Sequence, residues 1–101
     1  MIAQIGDMAV NDLDISDAIR MAGDRVKQVH IADVSGLNPL VDEWYSLMLP
    51  GTVNLDFVEI FGALKDIGYD GEICLESWVI DDPVSTLADF RKRVGKLWSK
   101  A

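Results

Sequence analysis

The sequence predicts an α/β fold of parallel β/α units, because three strand-like segments alternate with three amphipathic helices. The strand-like segments cover residues 2–5, 26–32 and 72–77, and the predicted order is β-α-β-loop-α-β-α. Strands joined through helices pair in parallel by right-handed crossovers. Two architectures satisfy this pattern, a small doubly wound sheet and a segment of a (β/α)8 barrel.

The first two predicted helices each begin at an aspartate and end at a glycine. Asp14 can cap the first turn of a helical apolar pattern that stops at Gly23. Asp56 and Glu59 form a capping-box pattern at the start of the second helix, and Gly68 supplies its left-handed end. The sequence therefore predicts both boundaries of each helix.

The last predicted helix begins at Asp82 and Pro83, which suit the N-cap and the first helical position. Helical spacing predicts that its apolar side chains face the core, namely Val84, Leu87, Phe90, Val94 and Leu97. The segment 33–54, which contains glycines and prolines, is predicted to be a loop.

Length and composition limit what the chain can be. The chain has 101 residues, and we predict that residues 1–101 form one unit without an internal domain boundary. This length is well below the roughly 250 residues of a complete barrel. The 9 basic and 17 acidic residues give a net charge of −8, which argues against nucleic-acid binding. A single cysteine suits a reducing, cytoplasmic location, and no apolar run approaches the roughly 20 residues of a membrane span.

The candidate chemical residues are His30 and Glu76, one on each of the last two predicted strands. Alternate residues of a strand share a face, so His30 and Glu76 both lie opposite the side chains expected to pack on the helices. Both come near the carboxyl ends of their strands, at matched height, where adjacent strands are about 4.8 Å apart. An imidazole and a carboxylate so placed can converge on one metal ion.

A structural role is the alternative for each of these residues. A histidine in an apolar strand is often a hydrogen-bonded core or rim residue. A glutamate in such a strand is harder to explain structurally, since an unpaired buried carboxylate costs several kcal/mol. It therefore needs a cation, a proton or a salt-bridge partner.

Several stretches resemble the xylose-isomerase-like superfamily of sugar isomerases and epimerases. Residues 26–33, VKQVHIAD, resemble its penultimate strand, and Pro50-Gly51 followed by residues 55–57 resembles the loop into its next helix. Residues 63–71 and 75–78 resemble its last helix-to-strand passage. The pattern is most similar to the ketose 3-epimerase and hydroxypyruvate isomerase types. The resemblance implies the last three strands and helices of a TIM-type barrel, incomplete as a barrel in one chain.

The resemblance also implies a divalent metal, Mn, Mg, Co or Zn, held by two glutamates, an aspartate and a histidine. His30 matches the histidine ligand, and Glu76 matches a glutamate ligand that also moves a proton beside the substrate carbonyl. In such enzymes the metal polarises that carbonyl. Asp33 would lie at the rim of the site, although a loop-entry aspartate that caps local amides is an equal alternative.

The chain also departs from the family pattern. The second catalytic glutamate lies on an earlier strand that this chain lacks, and the family's Asp and His positions fall on Gln4 and Asp7. Asp7 can still offer an oxygen. Trp44, Tyr45 and Trp78 are candidates for an apolar wall over a sugar, or for simple packing of the loop.

Two functional hypotheses follow. The chain is the C-terminal segment of a metal-dependent sugar or sugar phosphate isomerase or epimerase, inactive in isolation because two of four ligands hold a divalent ion weakly. Alternatively, it is a non-catalytic module whose open strand edges self-associate. The expected partners are a small sugar or sugar phosphate and either further copies or a complementing barrel fragment. An abasic-site nuclease relative is disfavoured by the acidic charge and the single histidine.

Overall fold

The computed structural model describes residues 1–10, 13–35, 46–48, 50, 55–76 and 82–101. Its elements, in chain order, are β1 Ile2–Gln4, α1 Ile5–Val10, α2 Ile15–Ala22, a 3-10 turn Gly23–Arg25, β2 Gln28–Ile31, β3 Asp33–Ser35, β4 Ser46–Met48, α3 Phe57–Asp66, β5 Ile73–Leu75 and α4 Pro83–Lys100. No helix in these ranges is both long and apolar enough to cross a membrane.

The central sheet has three parallel strands in the order β1-β2-β5. Its register places Gln4 opposite His30 and His30 opposite Cys74, so these three residues form one row across the strands. Parallel pairing with intervening helices confirms the predicted α/β class. The assignment to a barrel stays a prediction.

The predicted helix boundaries are confirmed by their capping contacts. The Asp14 carboxylate accepts the backbone N–H of Asp17 at 3.0 Å, and Gly23 has a φ of 55°. Asp56 accepts the N–H of Glu59 at 3.0 Å, and Asp82 accepts that of Ser85 at 3.3 Å. Gly68, with a φ of 71°, follows α3 in a left-handed conformation that glycine adopts without steric cost.

The hydrophobic core lies between one face of the sheet and a helical layer in which α3 contacts both α2 and α4. The strands contribute Ala3, Val29 and Ile31, all fully buried. The apolar stripe of α3 supplies the largest part of the helical side, with Phe57, Ile60, Phe61, Ala63 and Leu64. The opposite face of the sheet carries the candidate chemical residues.

Three predictions about local structure are wrong. The first strand was predicted over residues 2–5, but it ends at Gln4, and Ile5 begins α1, a helix that was not predicted. The segment 33–54 is not all loop, because β3 and β4 pair as an antiparallel ribbon with Asp33 opposite Met48. In α4, Phe90 is buried, but Val84 and Leu87 are 80% and 50% exposed. The first turns of α4 therefore present their apolar side chains away from the core of this chain.

Candidate functional site

His30 and Glu76 lie on the face of the sheet that points away from the helical layer. Val29 and Ile31 are fully buried in the core, so the alternating side chain of His30 projects to the opposite face. Ile73 and Leu75 pack against the core, which directs Cys74 and Glu76 to the same side as His30. The structure thus brings both candidate residues to one face of adjacent strands.

The two residues are not at the same height along the strands. The register pairs His30 with Cys74, and Glu76 comes two residues later, with its backbone N–H donating to the carbonyl of Ile31 at 2.9 Å. Two residues of a strand correspond to about 6.6 Å along its axis. The prediction of matched height is therefore wrong, and Glu76 lies nearer the carboxyl-end rim than His30 does.

One oxygen of the Glu76 carboxylate lacks a hydrogen-bond partner in the described part of the chain. Its Oε2 atom is buried and has no hydrogen-bond partner there. A buried oxygen of this kind costs free energy unless it receives a proton, a donor or a cation. Glu76 is therefore a candidate ligand on physical grounds, independently of any family pattern.

Asp33 is fully buried, and its carboxylate accepts a hydrogen bond from the backbone. Its Oδ1 accepts the backbone N–H of Leu55 at 3.2 Å, which connects the start of β3 to the residue pair before α3. The contact gives Asp33 a structural role, although this amide lies 22 residues away and is not one of the local amides that the sequence predicts it to cap. A contact with substrate stays a prediction.

Asp33→Ala is expected to lower the free energy of unfolding by about 1–3 kcal/mol, because the amide of Leu55 loses its acceptor. Asp33→Asn keeps a side-chain oxygen and is expected to cost less. Urea denaturation followed by circular dichroism measures both variants. Equal losses for the two would show that the oxygen acceptor is not what stabilises this junction.

The turn at residues 69–72 fixes where β5, the strand directly before Glu76, begins. The Tyr69 hydroxyl donates to the backbone carbonyl of Glu72, and a Cβ on Gly71 would lie 2.6 Å from the Tyr69 oxygen. Burial raises the pKa of Tyr69 above its ordinary value, with a smaller contribution from Cys74, so the hydroxyl remains a donor at neutral pH. Glycine at position 71 thus permits the approach of the tyrosine ring.

The remaining candidates are dispersed or lie outside the described residues. Asp7 is in the first turn of α1 and is partly exposed. Trp44, Tyr45 and Trp78 fall outside the described ranges, and their assignment to a sugar-binding wall stays a prediction. Among the described residues, no three His, Cys, Asp or Glu side chains form a group able to hold a metal ion.

Two neighbours of His30 were not singled out as site residues from the sequence. Gln4 on β1 and Cys74 on β5 flank His30 in the same row. Only the strand register places them there, and register depends on which strands pair and with what offset. Parity identifies a face, but it does not align residues across strands.

Comparison with known proteins found one similar curated protein, and no family model matches the chain. The chain is 33% identical over 73 residues to a D-psicose 3-epimerase of Enterocloster bolteae. The matched stretch is 72% of this chain and 21% of that protein. The chain therefore spans about a fifth of the relative that it matches.

Proposed function

We propose that this chain supplies the C-terminal part of the active site of a metal-dependent isomerase or epimerase that acts on a sugar or sugar phosphate. The observation that carries the proposal is the buried, unpartnered Oε2 of Glu76 on the same sheet face as His30. The similarity to a D-psicose 3-epimerase supports the reaction class. Such a chain would form the last three β/α units of a barrel.

His30 and Glu76 have the donor chemistry for a divalent ion. A neutral imidazole nitrogen and a carboxylate oxygen are ligands for Mn, Co, Zn or Mg, and the buried carboxylate gains most from such a cation. When bound, the metal supplies Lewis-acid polarisation of the substrate carbonyl. His30 and Glu76 would hold it from two adjacent strands, together with ligands from outside the described residues.

Glu76 also has the position and chemistry of a proton carrier. Its carboxylate lies at the rim of the sheet face, where a sugar entering from the carboxyl ends of the strands would meet it. Glu76 would take the proton from the carbon beside the carbonyl, and inversion of that carbon would require a second acid to return a proton to its opposite face. His30, lower on its strand, would orient the carbonyl end of the same substrate.

A non-catalytic module is the second candidate, favoured by the open sheet. In the described structure β1 and β5 each pair on one side only, and unpaired strand edges promote association. Under either candidate the isolated chain is expected to lack sugar isomerase activity, because it carries two of the required ligands. The cytoplasmic location stays a prediction.

A chimera tests the enzymatic proposal directly. Replacing the part of the Enterocloster bolteae D-psicose 3-epimerase that corresponds to residues 26–76 of this chain with those residues is expected to give a folded protein that converts D-psicose to its C3 epimer. This exchange keeps the relative's own residues at the positions of Gln4 and Asp7. A chelator should abolish the conversion, and Mn or Co should restore it, since the ligands here bind a divalent cation. The same relative with the stretch deleted is the inactive control.

Two outcomes contradict the proposal in different ways. A folded chimera that is inactive with every added metal would show that this chain does not support the chemistry. A chimera whose activity is unaffected by exhaustive metal removal would leave the isomerase assignment in place and overturn the metal role of His30 and Glu76.

A further inference from the structure

A row of three side chains crosses the sheet on the face that carries His30. The register places Gln4 of β1 and Cys74 of β5 on either side of His30, and all three residues are partly buried. Neighbouring parallel strands are about 4.8 Å apart. His30 and Cys74 are therefore adjacent across the strands, and both project away from the helical layer because their sequence neighbours pack in the core.

The anionic donor in this row is a sulfur atom. The Gln4 amide oxygen and the His30 imidazole bind metal ions as neutral groups, whereas a cysteine binds them as the thiolate. Thiolate and imidazole ligands together favour zinc and similar borderline ions, while carboxylate, carbonyl and water oxygens favour magnesium and manganese. A cysteine beside the histidine therefore changes which ion this face of the sheet prefers.

A second anionic donor lies one step further along the same strand direction. Glu76 follows Cys74 by two residues on the same face, and its buried Oε2 has no hydrogen-bond partner among the described residues. In the described structure neither side chain forms an ion pair with a lysine or an arginine. A thiolate and a carboxylate together balance the charge of a divalent cation, which offsets the free-energy cost of burying either group.

We propose that Cys74 is a metal-binding residue that acts with His30 and makes this face selective for a thiophilic divalent ion, zinc or cobalt, over magnesium and manganese. This assignment rests on the proposed function and deepens it by naming the class of ion. As the sulfur–metal bond forms, the Cys74 thiol releases its proton to solvent. The three donors do not form a closed group among the described residues. Water or residues outside the described ranges would therefore complete the coordination shell.

Titration of the full chain with cobalt tests the role of Cys74, because a bond between thiolate sulfur and cobalt produces a charge-transfer band in the near ultraviolet. The sequence contains a single cysteine, so this band has one possible source. We expect the band to appear with cobalt and to disappear when zinc is added in excess. Cys74→Ser, which nearly preserves the size of the side chain, should remove the band. It should also weaken zinc binding about tenfold to hundredfold and change manganese binding less than about threefold.

Gln4→Ala is the matched control, because it alters the other neighbour of His30 in the same row and removes a neutral group. It should leave the cobalt band and the zinc affinity within about twofold of the unsubstituted chain, and circular dichroism checks that each variant is folded. The chimera that carries residues 26–76 gives a second measurement, as the difference spectrum between the unsubstituted protein and its Cys74→Ser variant.

Three results would each overturn the role of Cys74. They are absence of the band from both proteins at saturating cobalt, survival of the band in Cys74→Ser, and equal losses of zinc and manganese binding in that variant. An active, metal-dependent chimera without the band would leave the proposed function standing. An inactive chimera with a band that depends on Cys74 would overturn the proposed function and retain the metal-binding role of Cys74.

Discussion

Phe61→Ala is expected to lower the free energy of unfolding of this chain by about 3–5 kcal/mol. Phe61 is fully buried in the middle of α3, and its ring centroid lies 5.7 Å from that of Phe57 and 5.4 Å from that of Trp98. Truncation removes both tilted ring contacts and leaves a cavity where α3 meets α4. The loss combines the transfer free energy of the ring with the cost of that cavity.

This loss is large relative to the total stability expected of a small domain. Single domains are stable by about 5–15 kcal/mol, and a chain with open sheet edges belongs near the lower end. Phe61→Ala should therefore leave much of the protein unfolded at 25 °C. Urea titration monitored by circular dichroism and by tryptophan fluorescence measures the change; Trp98, which contacts Phe61, is one of the three tryptophans that contribute to the fluorescence.

Two further variants separate core packing from general effects of substitution. Met21→Ala removes a side chain that is 84% exposed and should change stability by less than about 0.5 kcal/mol. Phe61→Leu keeps most of the volume and should lose less than half of what the alanine variant loses. A loss below about 1 kcal/mol for Phe61→Ala would show that α3 is not the centre of the core.

Helices α2, α3 and α4 were predictable because their signals are local. Asp14, Asp56 and Asp82 each cap a first turn through a side chain that reaches an amide three residues later. The apolar stripe of α3 follows from helical spacing alone, and Gly68 has the left-handed conformation that its position after the helix requires. None of these features depends on distant residues.

The wrong predictions for α4 and for residues 33–54 concern contacts between distant parts of the chain, which a local sequence pattern does not specify. Helical spacing predicts that Val84 and Leu87 lie on the apolar stripe of α4 with Phe90. Burial also requires packing against another element, and in the described structure Val84 and Leu87 stay 80% and 50% exposed while Phe90 is buried. Strands β3 and β4 are short and are separated in the sequence by residues 36–45. Neither has a local sequence pattern that predicts a strand, so their pairing was missed.

In the candidate site, too, the local features were predictable and the features that depend on strand pairing were not. Strand parity was sufficient to place His30 and Glu76 on one face, because side-chain direction alternates along a strand. The row of Gln4, His30 and Cys74, and the two-residue offset of Glu76, depend on the pairing register. The burial of Asp33 against the amide of Leu55 is a contact across 22 residues and was beyond any local pattern.

Glu76→Gln, made in the chimera with the D-psicose 3-epimerase, is expected to lower kcat/KM by about 100-fold to 10,000-fold. The substitution preserves the shape of the side chain but removes the charge and the site that accepts a proton. Its buried oxygen, unpartnered in the described structure, would become a neutral and weaker ligand. The bound metal per chimera, measured by mass spectrometry after dialysis, should therefore fall together with activity.

Glu72→Gln is the matched control, because it makes the same chemical change four residues earlier, at an exposed residue before β5 begins. It should leave both kcat/KM and metal content within about twofold of the unsubstituted chimera, as surface substitutions usually do. His30→Asn should resemble Glu76→Gln in metal loss. If Glu76→Gln behaved like Glu72→Gln, the buried carboxylate would have a structural role, and the site would have to be sought elsewhere on the sheet.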